Sequence, residues 1–499
     1  MEVPEATLDK RPAVSVANKR LFVHLRHLNA PAEEDRFASL LLAHATSAAT
    51  ATATRVKFKE NYQRWHNWAE THSCVPRYFH TPSTELELKE IIHRAREEGE
   101  KVKVVGAGHS PTNCAITKGH MVSLEFYNKI LSVEGPLVKV QSGIRLKELV
   151  EKLAEHKLAL SNLGSILDQS IAGAISTGTH GTGINYGSLS SSVVAMEIID
   201  AKGETFYCSE DTRPDLFSAA LCSLGALGII STLTIKCEPL YNLHSTEYPM
   251  KLSDLLDNLE NDINSAEHFR FWWVPHTDNC FVWKANRTTR KPTPSKTLTD
   301  STLHYIVNRK LYEGLLWAAT WRPALLQQIN STYSRLLFSK TLEKVDRYDR
   351  IFTFDCLFRQ YVSEWALPLS NVRAAVEELQ KVIKELNLYV HFSVEFRFVK
   401  QDEGTLLSTT HDRDSCYIGN IMYRPYGIDA PGTKEYFRAV ERIMTKLGGR
   451  PHWAKEFELT SAQLEEMYGG NWKKFQSIRN EMDPDRLFAN EYLERVLGP

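Results

Sequence analysis

No run of about 18 consecutive apolar residues occurs in this sequence, so no transmembrane helix is expected. The nearest approach, Leu311–Ala324 (LYEGLLWAATWRPA), is short and is broken by Arg322 and Pro323. It reads as a buried or interfacial helix. The N-terminus has no basic segment leading into an apolar core, so no secretory signal is expected. An excess of one charge is also missing: 60 Lys and Arg stand against 61 Asp and Glu, a net charge of −1. That removes the electrostatic footprint of a nucleic-acid binder or of a protein drawn to an anionic surface. Clustered cysteine is missing too. The eight cysteines (74, 114, 208, 222, 237, 280, 356, 416) include no Cys-x-x-Cys pair. This argues against a zinc site and a disulfide scaffold, so no metal site is expected and an intracellular location fits reduced thiols.

What is present is an ordinary globular composition, 42% apolar and 24% charged over 499 residues, long enough for roughly two to four domains. Residues 1–57 read as an extension, with a low-complexity run at Ala43–Thr54. Thr84–Glu87 is a capping-box pattern ahead of a helix with an apolar stripe of Leu88, Ile91, Ile92 and Ala95. Gly99 ends that helix and Val102–Val105 follows as a strand. Further strands are expected at Leu137–Val140, Val193–Asp200 and Ile229–Cys237, with a helix at Leu146–His156 and a turn at Gly203. After Pro239 the texture changes to longer helices and aromatic strands, and a boundary is placed near residue 245. Asn371–Leu386 and Lys434–Leu447 read as helices, and Tyr389–Lys400 as a strand.

The strand Val102–Val105 runs into Gly106-Ala107-Gly108-His109-Ser110-Pro111. Two glycines free the backbone for a tight turn and for close approach by a ligand. A Rossmann fingerprint needs a third glycine three residues after the second; Pro111 stands there, so that reading fails. A phosphate-binding turn of another kind remains, with a nucleophilic imidazole built into it. Residues 161–192 (SNLGSILDQSIAGAISTGTHGTGINYGSLSSS) are rich in Gly, Ser and Thr yet studded with isoleucine. This suits a backbone wrapping an extended ligand with N–H and hydroxyl donors; a ligand-free connection is the alternative.

In the strand VHFSVEFRFVK, side chains alternate faces. Phe392, Val394, Phe396 and Phe398 fall on one side, and His391, Ser393, Glu395 and Arg397 on the other. Glu395 and Arg397 then sit roughly 7 Å apart along the strand. A solvated polar face or a cross-strand ion pair would produce the same pattern. His452 and Lys455, three apart, share a face if helical, as a surface pair also would. His180 could equally be a loop histidine with a structural hydrogen bond.

Together, VVGAGHSP, LGSILDQSIAGAISTGTHGTG, VEFRF and RPHWAK resemble the aldonolactone oxidases of the vanillyl-alcohol-oxidase flavoprotein superfamily, nearest to its arabinono- and gulono-1,4-lactone oxidases. The likeness runs over roughly residues 60–499 and includes the terminal NWKKFQSIRNEMDPDRLFANEYLERVLG. The resemblance implies an α+β fold. A two-subdomain PCMH-type FAD-binding domain would occupy 58–244, an α+β cap (substrate) domain with an antiparallel sheet 245–440, and a segment completing the active site 441–499. It implies FAD attached covalently through His109. Val105, Gly106, Ala107, Gly108 and Ser110 would cradle the pyrophosphate. Gly164, Ser165, Gln169, Ser170, Gly173, Ser176, Thr177, Gly178, His180 and Gly181, with Ile229, would hold the rest of the cofactor.

By the same resemblance, Glu395 and Arg397 form the acid–base pair, Lys455 adds positive charge near substrate and flavin, and His452 positions the flavin ring or that lysine. A guanidinium suits a developing oxyanion. The implied reaction oxidises D-arabinono-, L-gulono- or L-galactono-1,4-lactone at C2 to erythroascorbate or ascorbate and reduces dioxygen to hydrogen peroxide. The implied partners are therefore a sugar lactone and dioxygen, with no nucleic acid. Plant galactonolactone dehydrogenases carry leucine where His109 stands, so histidine favours the oxidase branch. A dehydrogenase passing electrons to a cytochrome, an alditol oxidase and a flavin-bearing assembly protein remain as alternatives. Glu395, Arg397 and Lys455 together argue against the last. Family members are often found on mitochondrial or endoplasmic membranes, which leaves a mitochondrial, peripherally membrane-associated location open. The preferred lactone is also left open.

Overall fold

Short apolar strands and one well-capped helix build the first layer of the computed structural model, which describes Glu60 and residues 63–294, 298–337, 340–354, 356 and 358–499. The expected extension at 1–57 lies outside the described residues. Strands β1 (Tyr78–His80), β2 (Val102–Val105) and β3 (His120–Ser123) pair in parallel in the order β1-β3-β2. Parallel strands need a crossover, and α1 (Glu85–Glu98) supplies one between β1 and β2. Its N-terminus is a capping box: the Glu87 N–H donates to Thr84 Oγ1 at 3.3 Å and the Thr84 N–H to Glu87 Oε2 at 3.0 Å. Leu88, Ile91, Ile92 and Ala95 are buried, and Gly99 closes the helix at φ +68°.

The second layer is antiparallel. Strands β4 (Ile130–Glu134), β5 (Leu137–Gln141), β6 (Val193–Ile199), β7 (Thr205–Ser209) and β8 (Ile229–Lys236) lie in the order β7-β6-β8-β5-β4. Leu146, Leu149, Val150 and Leu153 of α2 (Leu146–Glu155) enter the same core as Val138 and Val140. Within the Gly/Ser-rich stretch, Ile171–Ser176 forms a short helix, α3.

The third layer positions the site. It is an eight-stranded antiparallel sheet of β9 (Asn242–Lys251), β10 (His268–Trp273), β11 (Asn279–Thr288), β12 (Leu342–Arg347), β13 (Gln360–Pro368), β14 (Val394–Val399), β15 (Ser415–Tyr423) and β16 (Arg450–Pro451). The order is β12-β9-β11-β10-β14-β15-β13-β16. Among the helices, α4 (Leu298–Trp321) and α5 (Leu325–Leu337) share a small core with Tyr423. By contrast α6 (Val372–Glu385) and α7 (Thr433–Lys446) bury Val376, Leu379, Val440 and Met444 in the main core with Phe271, Phe396 and Ile418. One sheet face is therefore apolar and helix-covered, leaving the opposite side chains for other work.

Two local departures have physical causes. The strand expected at Tyr389–Lys400 begins only at Val394. Its neighbour β10 ends at Trp273, opposite Val394, with Pro275 soon after, so no ladder partner continues on that side. His391 turns inward instead, and its Nδ1 accepts the Tyr423 N–H at 2.9 Å. The segment Leu311–Ala324 falls largely in α4 and is two-sided: Tyr312, Leu316 and Ala319 are buried, while Leu311, Leu315, Trp317 and Trp321 face outward. Among the described residues no helix is long and apolar enough to cross a membrane.

Candidate active site

The opening cradle is built by glycine geometry. A Cβ on Gly106 would fall 1.7 Å from Ser170 Oγ, and one on Gly108, at φ +65°, would fall 2.8 Å from the Trp65 ring. Only bare backbone fits at either position. Val105 to Ser110 then line a cleft with Gln169, Ser170, Gly173, Ser176, Thr177 and Ile229. His109 stacks on Trp68 with ring centroids 5.6 Å apart. Its Nδ1 is buried without a hydrogen-bond partner, and burial lowers its pKa, so the imidazole is neutral at neutral pH. A backbone cradle too tight for side chains, with an orphaned nucleophilic nitrogen at its mouth, fits the expected FAD.

His109, Ser110 and Gln169 also line a second cavity of about 430 Å³, whose floor is the uncovered face of the large sheet. Strand register sets that floor in two rows. In one row Phe281, Trp272, Glu395, Gly419 and Glu364 are successive cross-strand partners from β11 to β13. In the other, Glu247, Trp283, Arg270 and Arg397 run from β9 to β14. Glu395 and Arg397 thus face one cavity, as strand alternation requires. The solvated-face alternative is overturned: Glu395 is only 8% exposed. Arg397 Nη2 donates to Glu395 Oε2 and to Ser165 Oγ, both at 2.6 Å. Burial works against the Arg397 charge, but Glu395 outweighs it and raises the pKa, so the guanidinium stays protonated. Glu395 Oε1 and Arg397 Nε remain without partners.

The third group surrounds Glu364, a buried carboxylate on β13. His180 Nε2 lies 3.3 Å from Glu364 Oε1 and Lys455 Nζ lies 4.0 Å from Oε2. Burial alone would raise the Glu364 pKa, yet His180 first and then Lys455 hold the carboxyl well below the usual range. His180 stacks on Tyr417 at 3.5 Å, and its Nδ1 meets the Gly181 carbonyl at 2.9 Å. His452 is pushed down to about 3 by burial and is neutral. Its Nδ1 accepts the Ala454 N–H at 3.1 Å, which leaves the ring proton on Nε2. His180, Glu364 and His452 each bring one atom within 4.8 Å of the others. The direct contact within the trio is the one between His180 and Glu364, and His452 spends its Nδ1 lone pair on the Ala454 N–H.

His452 and Lys455 are not on a helix. They flank a turn after β16, where the Lys455 N–H donates to the His452 carbonyl at 2.9 Å. The turn still delivers both to the cavity, beside Gly164, Ser165 and His180. Gly178 and Gly181 line neither cavity. Gly178 makes a left-handed turn at φ +73°, and Gly181 packs where a Cβ would strike Asn162 Oδ1 at 2.1 Å. Glu364, Glu247 and Arg270 escaped the sequence reading. Only Arg270 carried a local signal, since Arg270 and Trp272 alternate with Phe269, Phe271 and Trp273 as Glu395 and Arg397 alternate with phenylalanines; its place beside Arg397 comes from strand register.

Residues 233–496 match the family described as D-arabinono-1,4-lactone oxidase, and residues 76–209 match the FAD binding domain. The chain is 42% identical over 436 residues to an L-gulonolactone oxidase of Scyliorhinus torazame, spanning 87% of this chain and 98% of that one. It is 35% identical over 438 residues to an L-gulono-1,4-lactone dehydrogenase of Mycobacterium tuberculosis, spanning 87% and 99%. The fold is similar to the crystal structure of cholesterol oxidase from B. sterolicum, with a TM-score of 0.70 at 16% identity over 89% of this chain and 98% of that one.

Proposed function

Because the chain belongs to the D-arabinono-1,4-lactone oxidase family of FAD-dependent oxidoreductases, we propose that it oxidises a sugar 1,4-lactone at C2, with dioxygen as acceptor. The products are an ascorbate-type ene-diol and hydrogen peroxide. The observation that carries this reading is the Glu395–Arg397 pair, held at 2.6 Å on the cavity floor that also meets His109 and Lys455. FAD, when bound, supplies the two-electron redox chemistry.

The protein's own groups do the rest. Residues 58–244 hold the dinucleotide in this reading, 245–440 hold the lactone, and 441–499 complete the pocket. His109, neutral and with an unpartnered Nδ1, is the covalent tether. Arg397, fixed by its bonds to Glu395 and Ser165 and left with an unpartnered Nε, holds the oxyanion that develops at the lactone C2 oxygen. Glu395 Oε1, the free oxygen of its carboxylate, accepts the proton of the C2 hydroxyl. Lys455 keeps positive charge beside the reacting group, and Glu364 with neutral His452 fixes where that lysine sits. Peripheral membrane association belongs to the same proposal. It is supported by the outward apolar stripe of α4, where Leu311 is 60% and Trp321 70% exposed.

Anaerobic addition of sugar lactones and of alditols to the flavin-loaded protein tests the reading. Lactones are expected to bleach the bound flavin and alditols are not; bleaching by alditols alone replaces the substrate class, and bleaching by neither removes the enzymatic reading. In air, one peroxide per lactone consumed is expected. Reduction of cytochrome without peroxide would instead make the chain a dehydrogenase.

A further inference from the structure

Past Glu395 and Arg397 the cavity continues across the sheet toward β9, and this arm holds a second guanidinium that the proposed oxidation does not use. Arg270 is the cross-strand partner of Arg397 and is 4% exposed. Its surroundings are mostly rings: Cζ lies 4.2 Å from the Trp283 centroid and 4.9 Å from those of Trp272 and Phe354. One hydrogen bond is made, from Nη1 to the Phe352 carbonyl at 3.4 Å, and Nε has no partner. Ring faces stabilise the cation but leave its in-plane N–H donors unpaired, and buried unpaired donors are costly. Burial lowers the Arg270 pKa to about 10, so it remains charged at neutral pH. Glu247, two strands further on, lines the same arm. A buried fork of donors, a carboxylate acceptor and an aromatic floor between them make a site for a neutral polyhydroxylated chain. Hydroxyls meet the charged groups and C–H edges meet the rings.

We infer that Arg270 is a substrate-binding residue that takes the exocyclic hydroxyls of the lactone, and that this chain therefore selects six-carbon over shorter 1,4-lactones. The inference rests on the lactone-oxidising reading. Adjacent strands lie about 4.8 Å apart, so Arg270 begins one strand beyond a ring held at Arg397. A four-carbon lactone has no exocyclic carbon, a five-carbon lactone has a hydroxymethyl group, and a six-carbon lactone has a dihydroxyethyl group. Only the last offers two hydroxyls to a forked donor.

The experiment is anaerobic reduction of the flavin-loaded protein by hexono-, pentono- and tetrono-1,4-lactones, in wild type, Arg270→Met and Arg270→Lys. Wild type is expected to be reduced most efficiently by the hexonolactone and least by the tetronolactone. In Arg270→Met, with flavin content and spectrum retained, the hexono-to-tetrono preference should fall roughly 10- to 100-fold, the worth of hydrogen bonds to a charged group. Equal reactivity of the three lactones in wild type overturns the inference. So does a preference in Arg270→Met equal to that of wild type. Should Arg270→Met fail to load flavin, Arg270→Lys decides: it keeps the charge and loses the fork, so its preference should fall, and an unchanged preference is refuting. Flavin that no lactone bleaches removes the underlying reading together with this inference. Bleaching that is indifferent to Arg270 removes the inference alone.

Discussion

Arg397→Met, Glu395→Gln and the double variant ask whether the two side chains act as one buried unit. Their side chains are 11% and 10% exposed, and Nη2 is 2.6 Å from both the carboxylate and Ser165 Oγ. Breaking a buried pair by removing one partner costs about 3–5 kcal/mol, because the remaining charge stays desolvated. Here the orphan is Glu395, whose Oε1 already lacks a partner. Removing both charges leaves no orphan, so the double variant should be more stable than the summed single effects by about 2–3 kcal/mol. An exposed pair would couple by only about 0–1 kcal/mol. Equilibrium denaturation of the four flavin-loaded proteins measures this coupling. On the kinetic side, loss of the charge at the reacting oxygen should slow anaerobic flavin reduction by about 10²–10³-fold in Arg397→Met, with FAD content unchanged. Additive stability effects, or a reduction rate equal to that of wild type, would refute the argument.

Denatured wild-type protein should carry yellow flavin into the precipitate and His109→Ala should release it; complete release from wild type rejects the covalent bond. Lys455→Met should slow flavin reduction by roughly 10-fold, less than loss of a direct oxyanion donor, and wild-type turnover would exclude the lysine from the reaction. Glu364 titrates in the folded protein below its usual value of 4.5, so its contribution to stability is present above that pH and is lost as pH falls through the depressed folded value. Tm between about pH 6 and pH 3 should therefore drop more steeply in wild type than in Glu364→Gln, and parallel curves would count against the assignment.

Local patterns were legible wherever neighbours in sequence decide the outcome. The capping box at Thr84, the stop at Gly99 and the Val102–Val105 strand depend on a few adjacent residues. Glu395 and Arg397 were legible because alternation needs only a strand. What lies around them was not, because it comes from strand register. Glu364 reaches the site through β15, across Gly419, from a strand some thirty residues earlier in the chain. Arg270 is more than a hundred residues from Arg397 and arrives beside it through one ladder. His452 and Lys455 were expected to share a face if helical; a turn brings both to one cavity instead, since a turn serves as well as a helix to point both one way. Gly178 and Gly181 show the reverse: they belong to a legible motif, but their position in the fold is set by backbone packing.

The two cross-sheet rows have an evolutionary consequence. A one-residue slip of β14 would send Phe396 into the cavity and press Glu395 and Arg397 against the helix-covered face, so on the proposed assignment insertions and deletions there should abolish activity at a stroke. Point substitutions on β9 and β11 leave that register alone and alter the arm of the cavity away from Glu395 and Arg397. On the proposed assignment, a lineage built on this sheet would inherit the Glu395–Arg397 pair as an indivisible block and would change substrate one side chain at a time.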